Sequence, residues 1–316
     1  MQAVIQITPW SWAGFLLFVL VCLALDLGVF HRRAHVVKFK EALSWTSIWV
    51  LLALLFAGAL VKLRGADRAT EFLTGYLIEL SLSMDNVFVM ALIFSYFRVP
   101  SEYQHRLLFW GILGALVMRG LMIGAGAVLI TRFHWMLYLF GAFLVYSGIK
   151  MLFTKEEGVH PEKNLVLRLA RKLYPVTHEF DGQKFVTTLN GQRALTPFAL
   201  VLIMVETTDL IFALDSIPAI FAVTQDPFIV FTSNVFAILG LRSLYFVLAG
   251  AIQYFRYLKF GLSLVLVFIG GKMLAGIWGF KLSNSLSLLI VAGIILLSVI
   301  ISLVTGCLGT RKQARP

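Results

Sequence analysis

This sequence specifies an all-α, polytopic membrane protein of about nine transmembrane helices, and three observations carry that reading. Mean hydropathy is +0.89, with 59% hydrophobic and only 14% charged residues, where soluble domains carry about a quarter charged residues. Several runs exceed the ~18 predominantly apolar residues that cross a bilayer as a helix. The alternating apolar and polar pattern of an outer-membrane barrel is absent.

The spans read in order as Trp12–Phe30, Trp45–Val61, Leu73–Phe97, Leu107–Ile130, His134–Phe153, Pro197–Thr224, Phe228–Gly250, Leu258–Trp278 and Ser285–Gly306. Of the 27 Lys and Arg, 18 fall on one side of this path, 5 on the other and 4 within spans. The basic side holds Arg32, Arg33, Lys38, Lys40, Arg98, Arg106, the long central loop, Arg256, Lys259 and the terminal RKQAR. Basic loops stay cytoplasmic, which puts the N-terminus outside and the C-terminus inside. The net charge of +11 therefore reports topology, and no nucleic-acid partner is expected. No Lys or Arg precedes the first span, so it is expected to be an anchor and not a cleaved leader. Cys22 and Cys307 both fall in spans without a CxxC pattern, so neither a disulfide framework nor a redox centre follows from them. Asp26, near the cytoplasmic end of the first span, is read as an interfacial partner for Arg32 or Arg33.

The chain divides into two N-terminal spans (1–72), a three-span unit (73–153), a cytoplasmic linker (154–196), a second three-span unit (197–280), and a last span with a basic tail (281–316). The two units repeat. ELSLSMDN, Glu79 to Asn86, matches DLIFALDS, Asp209 to Ser216, at an offset of 130. GILGALVMRG with Arg119 parallels NVFAILGLRS with Arg242, and YSGIKMLF with Lys150 parallels VFIGGKML with Lys272. Three spans per copy make the copies enter the membrane from opposite sides, the inverted-repeat arrangement that places a transport site at the repeat interface. In the linker, NLVLRLARKLY has helical spacing with a basic face suited to a membrane surface. KFVTTLNGQRALTP alternates around Asn190-Gly191, a hairpin signal. This segment is too small for an enzyme domain and is expected to act as a linker between the copies.

Carboxylates inside apolar spans cost about 2.5–3.5 kcal/mol each on insertion scales and are functional-site candidates. At about 100° per residue, Glu79 shares a helix face with Asn86, and Asp209 with Ser216. Asp85 and Asp215 point about 120° away from their partner acids. A straight, lipid-facing helix cannot hide all of them, so these helices are expected to be enclosed by protein or broken, with Pro218 favouring a break in the second copy. Glu206, one turn before Asp209, has no counterpart in the first copy. If the copies meet, Glu79, Asp85, Glu206, Asp209 and Asp215 put five acids near one centre, with Asn86, Ser216, Ser83 and Thr208 as neutral oxygens. Compensation comes from a cation, from protons, or from Arg119, Arg242, Lys150 and Lys272. Those four bases read first as ion-pair partners, the two lysines near enough to span ends to snorkel. An all-oxygen set favours Mg²⁺, Ca²⁺ or Mn²⁺ over Cu⁺ or Zn²⁺. Met84 and Met204 read as packing, and His105, His134, His160 and His178 as surface histidines.

FLTGYLIELSLSMDNVFV, YLFGAFLVYSGIKML and VETTDLIFALDSIPAIFAVTQDPFIVFTSNVFAILGLRSLYF resemble the TerC family of integral membrane proteins, and within it the Alx branch. The resemblance implies manganese homeostasis, with Mn²⁺ exported across the inner membrane, and associations with tellurite resistance and alkaline pH. It maps the acidic motif onto Glu79, Asp85, Asn86, Glu206, Asp209 and Asp215. A transporter needs no tightly bound cofactor; its partners are the bilayer and the cation. Two other classes compete. One is a non-transport membrane stress or redox factor; the other, an intramembrane aspartyl protease, lacks GxGD.

Overall fold

A computed structural model describes residues 8–28, 39–153, 164–177, 179–189, 191–249, 258–280 and 282–313. Nine long helices correspond to the nine expected spans: α1 (Pro9–Gly28), α2 (Phe39–Arg64), α3 (Ala66–Tyr96), α4 (Ser101–Arg132), α5 (Met136–Phe153), α7 (Pro197–Phe221), α8 (Pro227–Ala249), α9 (Leu258–Ala275) and α10 (Asn284–Gln313). Between α5 and α7 lie α6 (Leu165–Leu173) and a hairpin of β1 (Val186–Leu189) and β2 (Gln192–Leu195). Eight of the nine are long and apolar enough to cross a membrane; the apolar stretch described in α1, Pro9–Leu25, is shorter. Several helices outrun their expected spans. α3 starts at Ala66 and not Leu73, because hydropathy marks the hydrocarbon layer while the helix continues into the polar boundary. Gly65, at φ 92°, makes the sharp turn between α2 and α3, a conformation that an L side chain resists.

Both linker elements form where the sequence pattern places them. Strand register pairs Val186 with Leu195 and Leu189 with Gln192, with Gly191 directly before β2. Gly191 has φ 79°, as a primed hairpin turn requires. Thr196 caps α7, its hydroxyl accepting from the Ala199 amide at 3.4 Å. Asp181 beside the hairpin accepts hydrogen bonds from Thr187 at 2.7 Å and Lys184 at 3.1 Å, and these hold its carboxyl below the usual carboxylate range. The side chains of Asp26 and Cys307, and residues Asn190, His160 and His178, lie outside the described residues.

Helix directions follow from residue pairs. α3 and α8 run parallel, with Phe72 against Phe236 at 5.7 Å and Phe94 against Tyr245 at 5.4 Å between ring centroids. α4 and α7 also run parallel, Gly111 facing Val205 and Gly126 facing Phe221. α3 and α7 run antiparallel, joined by Glu71 to Thr224 at 2.7 Å and Asn86 to Asp209 at 3.2 Å. α5 and α9 run antiparallel and very close. A Cβ at Gly148 would stand 2.8 Å from the Ser263 carbonyl, and one at Gly270 would stand 2.6 Å from the Gly141 carbonyl. Only glycine permits that approach, and Gly148 and Gly270 each stand two residues before a lysine, in GIKML and GGKML. α8 is the enclosed centre of the bundle, 94% of its membrane-length stretch being buried. α1 covers it through Trp12 on Phe228 at 5.2 Å, and α10 packs on α9 where Ser298 meets Gly261.

A broken α7 is not observed. The helix is continuous from Pro197 to Phe221 with Pro218 inside its last turn; the ring costs the Leu214 carbonyl its helical donor, but only three helical residues follow, so there is no second helical segment for a kink to re-aim. Enclosure by α4 and α5 hides the acids instead.

Candidate cation site

α3 and α7 cross at the two acidic stretches, and the shared faces expected from helix geometry meet. Asn86 Nδ2 donates to Asp209 Oδ1 at 3.2 Å. Between them stands Arg119 of α4, 1% exposed. Its Nε donates to Asp209 Oδ2 at 3.1 Å and its Nη2 to Asp209 Oδ1 at 2.8 Å. Its Nη1 pairs with Glu79 Oε1 and reaches Ser216 Oγ at 3.5 Å. The fork on Asp209 is the bidentate geometry that makes guanidinium–carboxylate pairs strong. One buried guanidinium thus serves two buried carboxylates from two different helices, α3 and α7, and the trio carries one formal negative charge more than it neutralises.

That excess sits at Glu79. Its Oε2, like Asn86 Oδ1 and Ser83 Oγ, is buried without a hydrogen-bond partner among the described residues. Glu79 and Asn86 also line a cavity of about 450 Å³ together with Asp85, Asp215 and Ser216. Ser147 of α5 donates to Asp215 Oδ1 at 2.8 Å. The other walls are apolar, from Leu82, Met151, Ile211, Phe212 and Leu266. Lys150 near the end of α5 and Lys259 near the start of α9 border the same cavity, at the end of the bundle that carries α6 and the hairpin.

The structure therefore sorts the expected site residues into groups. Glu79, Asp209, Asn86 and Ser216 gather around Arg119, while Glu79, Asn86 and Ser216 also face the cavity with Asp85 and Asp215. Glu206 is not on that cavity; it lies against Gly114 of α4, where any Cβ would collide with its carboxylate, and its Oε2 has no hydrogen-bond partner among the described residues. Thr208 is bonded back to the Met204 carbonyl at 2.7 Å, and Ser83 is buried on α3. Lys272 donates to Ser287 of α10 at 2.8 Å, away from the site. Arg242 is buried on α8, 7% exposed. Met204 packs in the core and accepts from Asn164 at 3.4 Å. Among the described residues, no three of His, Cys, Asp and Glu stand together in a metal-ligand arrangement, so a cation here needs the neutral oxygens or a closer approach of the carboxylates.

Sequence reasoning missed two parts of this picture. Ser147 orients Asp215 but is one unremarkable serine before a Gly-Ile-Lys motif. The second is a polar network at the opposite end of the bundle. Glu71 Oε2 accepts from Arg68 at 2.7 Å and Thr224 at 2.7 Å, and its Oε1 accepts from Asn284 at 3.2 Å. Beside it, Arg64 pairs with Asp226 at 2.9 Å.

Residues 64–314 match the family described as integral membrane protein TerC family. The chain is similar to membrane protein STKORF319 of Myxococcus xanthus, 54% identical over 297 residues that span 94% of this chain and 93% of that protein. It is 48% identical over 304 residues to Alx of Escherichia coli (strain K12), named as a candidate membrane-bound redox modulator, across 93% of this chain and 94% of that one. A membrane protein of Rickettsia felis is 41% identical over 263 residues, 83% of this chain and 87% of that protein. No solved structure matches the chain.

Proposed function

The chain belongs to the integral membrane protein TerC family, and we propose that it exports a hard divalent cation, Mn²⁺ foremost, across the inner membrane. The observation that carries this reading is the pair Glu79 Oε2 and Asn86 Oδ1, buried oxygens without hydrogen-bond partners among the described residues, on residues that line a cavity with Asp85 and Asp215. An unmade hydrogen bond at a buried acceptor costs about 1–3 kcal/mol, more for a charged one. A fold keeps such a deficit where a ligand makes it good. Carboxylate, amide and hydroxyl oxygens suit hard cations.

The cation enters beside Lys150 and Lys259, at the end of the bundle read as cytoplasmic from its basic loops. Asp85 and Asp215 draw it in, and Glu79, Asn86 and Ser216 complete its oxygen shell. Arg119 holds Asp209 and one oxygen of Glu79 while the cation is away. The cation competes with this guanidinium, and Asp209 joins the set as Arg119 yields it. Antiparallel α3 and α7, antiparallel α5 and α9, and the glycines of GIKML and GGKML at one interface support two inverted three-helix copies that rock about the site. Metal binding displaces protons from its ligands, so proton return through the same carboxylates couples naturally to export.

Vesicles reconstituted with the full chain test this. We expect Mn²⁺ flux that Asp85→Asn and Asp215→Asn abolish; absent wild-type flux, or flux indifferent to both changes, counts against export. Competition by Mg²⁺, Ca²⁺ and Fe²⁺ ranks the cargo. In cells, Asp215→Asn should raise Mn content under Mn load. The name of the Escherichia coli relative favours a second reading, a redox or stress factor. That reading gains if resistance to tellurite or alkaline pH survives neutralisation of every acid in the set.

A further inference from the structure

α6 divides into three faces. Leu165, Val166, Leu169 and Leu173 form one, and they are 76%, 48%, 55% and 64% exposed. At about 100° per residue these four fall within one sector of about 100°. Leu167, 1% exposed, lies roughly 150° from the middle of that sector and docks in the core cluster that also holds Met204 and Val205 of α7. The third face carries Arg168, Arg171 and Lys172, all exposed. With nine residues, α6 is too short to span a bilayer, so its bare leucines face either water or the bilayer boundary.

Its depth decides between them. Asn164 caps α6, accepting from the Leu167 amide at 3.0 Å, and donates to Met204 Sδ at 3.4 Å. Met204 is in the second turn of α7, which begins at Pro197; at about 1.5 Å per residue it lies ~10 Å below the helix start. Met204 lies inside the membrane-length stretch of α7, which starts at Pro197, so the cap of α6 is tied to the boundary region where interfacial helices lay their apolar faces. The leucine face turns away from the bundle at that level, flanked by the basic face.

From this arrangement we propose that α6 is a docking surface for anionic phospholipid: its leucines enter the bilayer boundary while Arg168, Arg171 and Lys172 bind the headgroups. The inference is independent of what the transmembrane helices carry. Each basic residue near such a surface strengthens attachment by about fivefold, or of order a hundredfold for three.

The test uses the full chain with Cys22→Ser, Cys307→Ser and Leu169→Cys, labelled with an environment-sensitive fluorophore and reconstituted into vesicles. Phosphatidylcholine alone is compared with phosphatidylcholine containing phosphatidylglycerol. A label at Leu121→Cys, on the exposed face of α4, reads bilayer insertion in the same preparations. The expected result is a blue-shifted, brighter emission from position 169 in the anionic vesicles, lost when Arg168→Gln, Arg171→Gln and Lys172→Gln are combined or when salt is raised. Water-like emission in both vesicle types overturns the proposal, as does emission that neither phosphatidylglycerol nor the triple change alters.

Discussion

Two buried glutamates on one helix, Glu71 and Glu79, meet opposite fates. Glu71, 8% exposed, has both oxygens engaged by Arg68, Thr224 and Asn284. Those partners come from α3, the α7–α8 connection and α10, so this carboxylate fastens three parts of the fold. Glu79, 0% exposed, shares Arg119 with Asp209 and keeps one oxygen unpartnered among the described residues beside a cavity. A buried carboxylate with both oxygens engaged is a rivet; one with an oxygen left over is a ligand. Burial and residue type alone do not separate them, but their hydrogen bonds do.

Removing Arg119 attacks this contrast hardest. Arg119→Gln leaves Glu79 and Asp209 facing each other without a counter-charge, and stripping one partner from a buried pair costs about 3–5 kcal/mol. The thermal unfolding midpoint of the purified protein should fall further for this change than for any other single substitution at either glutamate. Glu71→Gln comes next. It removes a charge-assisted bond and leaves buried partners short, a loss of about 1–3 kcal/mol, while Mn²⁺ flux per folded molecule stays at the wild-type level. Glu79→Gln should do the reverse: the trio with Arg119 and Asp209 becomes neutral, so the midpoint holds or rises, and flux disappears. Equal effects of the two glutamine changes on stability and flux would dissolve the distinction.

The smallest effect expected lies outside the membrane, at Asp181. Its carboxyl is held low by Thr187 and Lys184. A carboxyl depressed in the folded state stabilises above its unfolded value, about pH 3.9, and the contribution fades as pH falls through the lower folded value. Asp181→Asn should therefore leave a slight stability deficit at neutral pH that vanishes on acidification, without touching flux. Unfolding midpoints of both proteins across an acid series check this.

Legibility in the sequence followed the range of the interactions. Spans, α6 and the hairpin are local patterns of hydropathy and turn chemistry, and they form where those patterns lie. The convergence of Glu79 and Asn86 with Asp209 and Ser216 was legible because each pair is seven residues apart, on one helix face, in two similar acidic stretches. Glu71 was not, because its fasteners lie 153 and 213 residues away and no spacing rule reaches that far. Pro218 misled for a related reason: whether a proline breaks a helix depends on how many turns follow it, and here the helix ends at Phe221. Glu206 stood out correctly as the residue without a counterpart, yet only the contact with Gly114 shows that it lies off the cavity.

The Glu79 and Asn86 oxygens that lack hydrogen-bond partners among the described residues are proposed to belong to a cation site. Equilibrium Mn²⁺ binding to the purified protein, read from the loss of the free Mn²⁺ paramagnetic resonance signal, tests this proposal most directly. Saturable binding is expected of the wild type and of Glu71→Gln, and none of Glu79→Gln or the Asp85→Asn, Asp215→Asn double variant. Binding that survives at Glu79→Gln, or that Glu71→Gln removes, would contradict it.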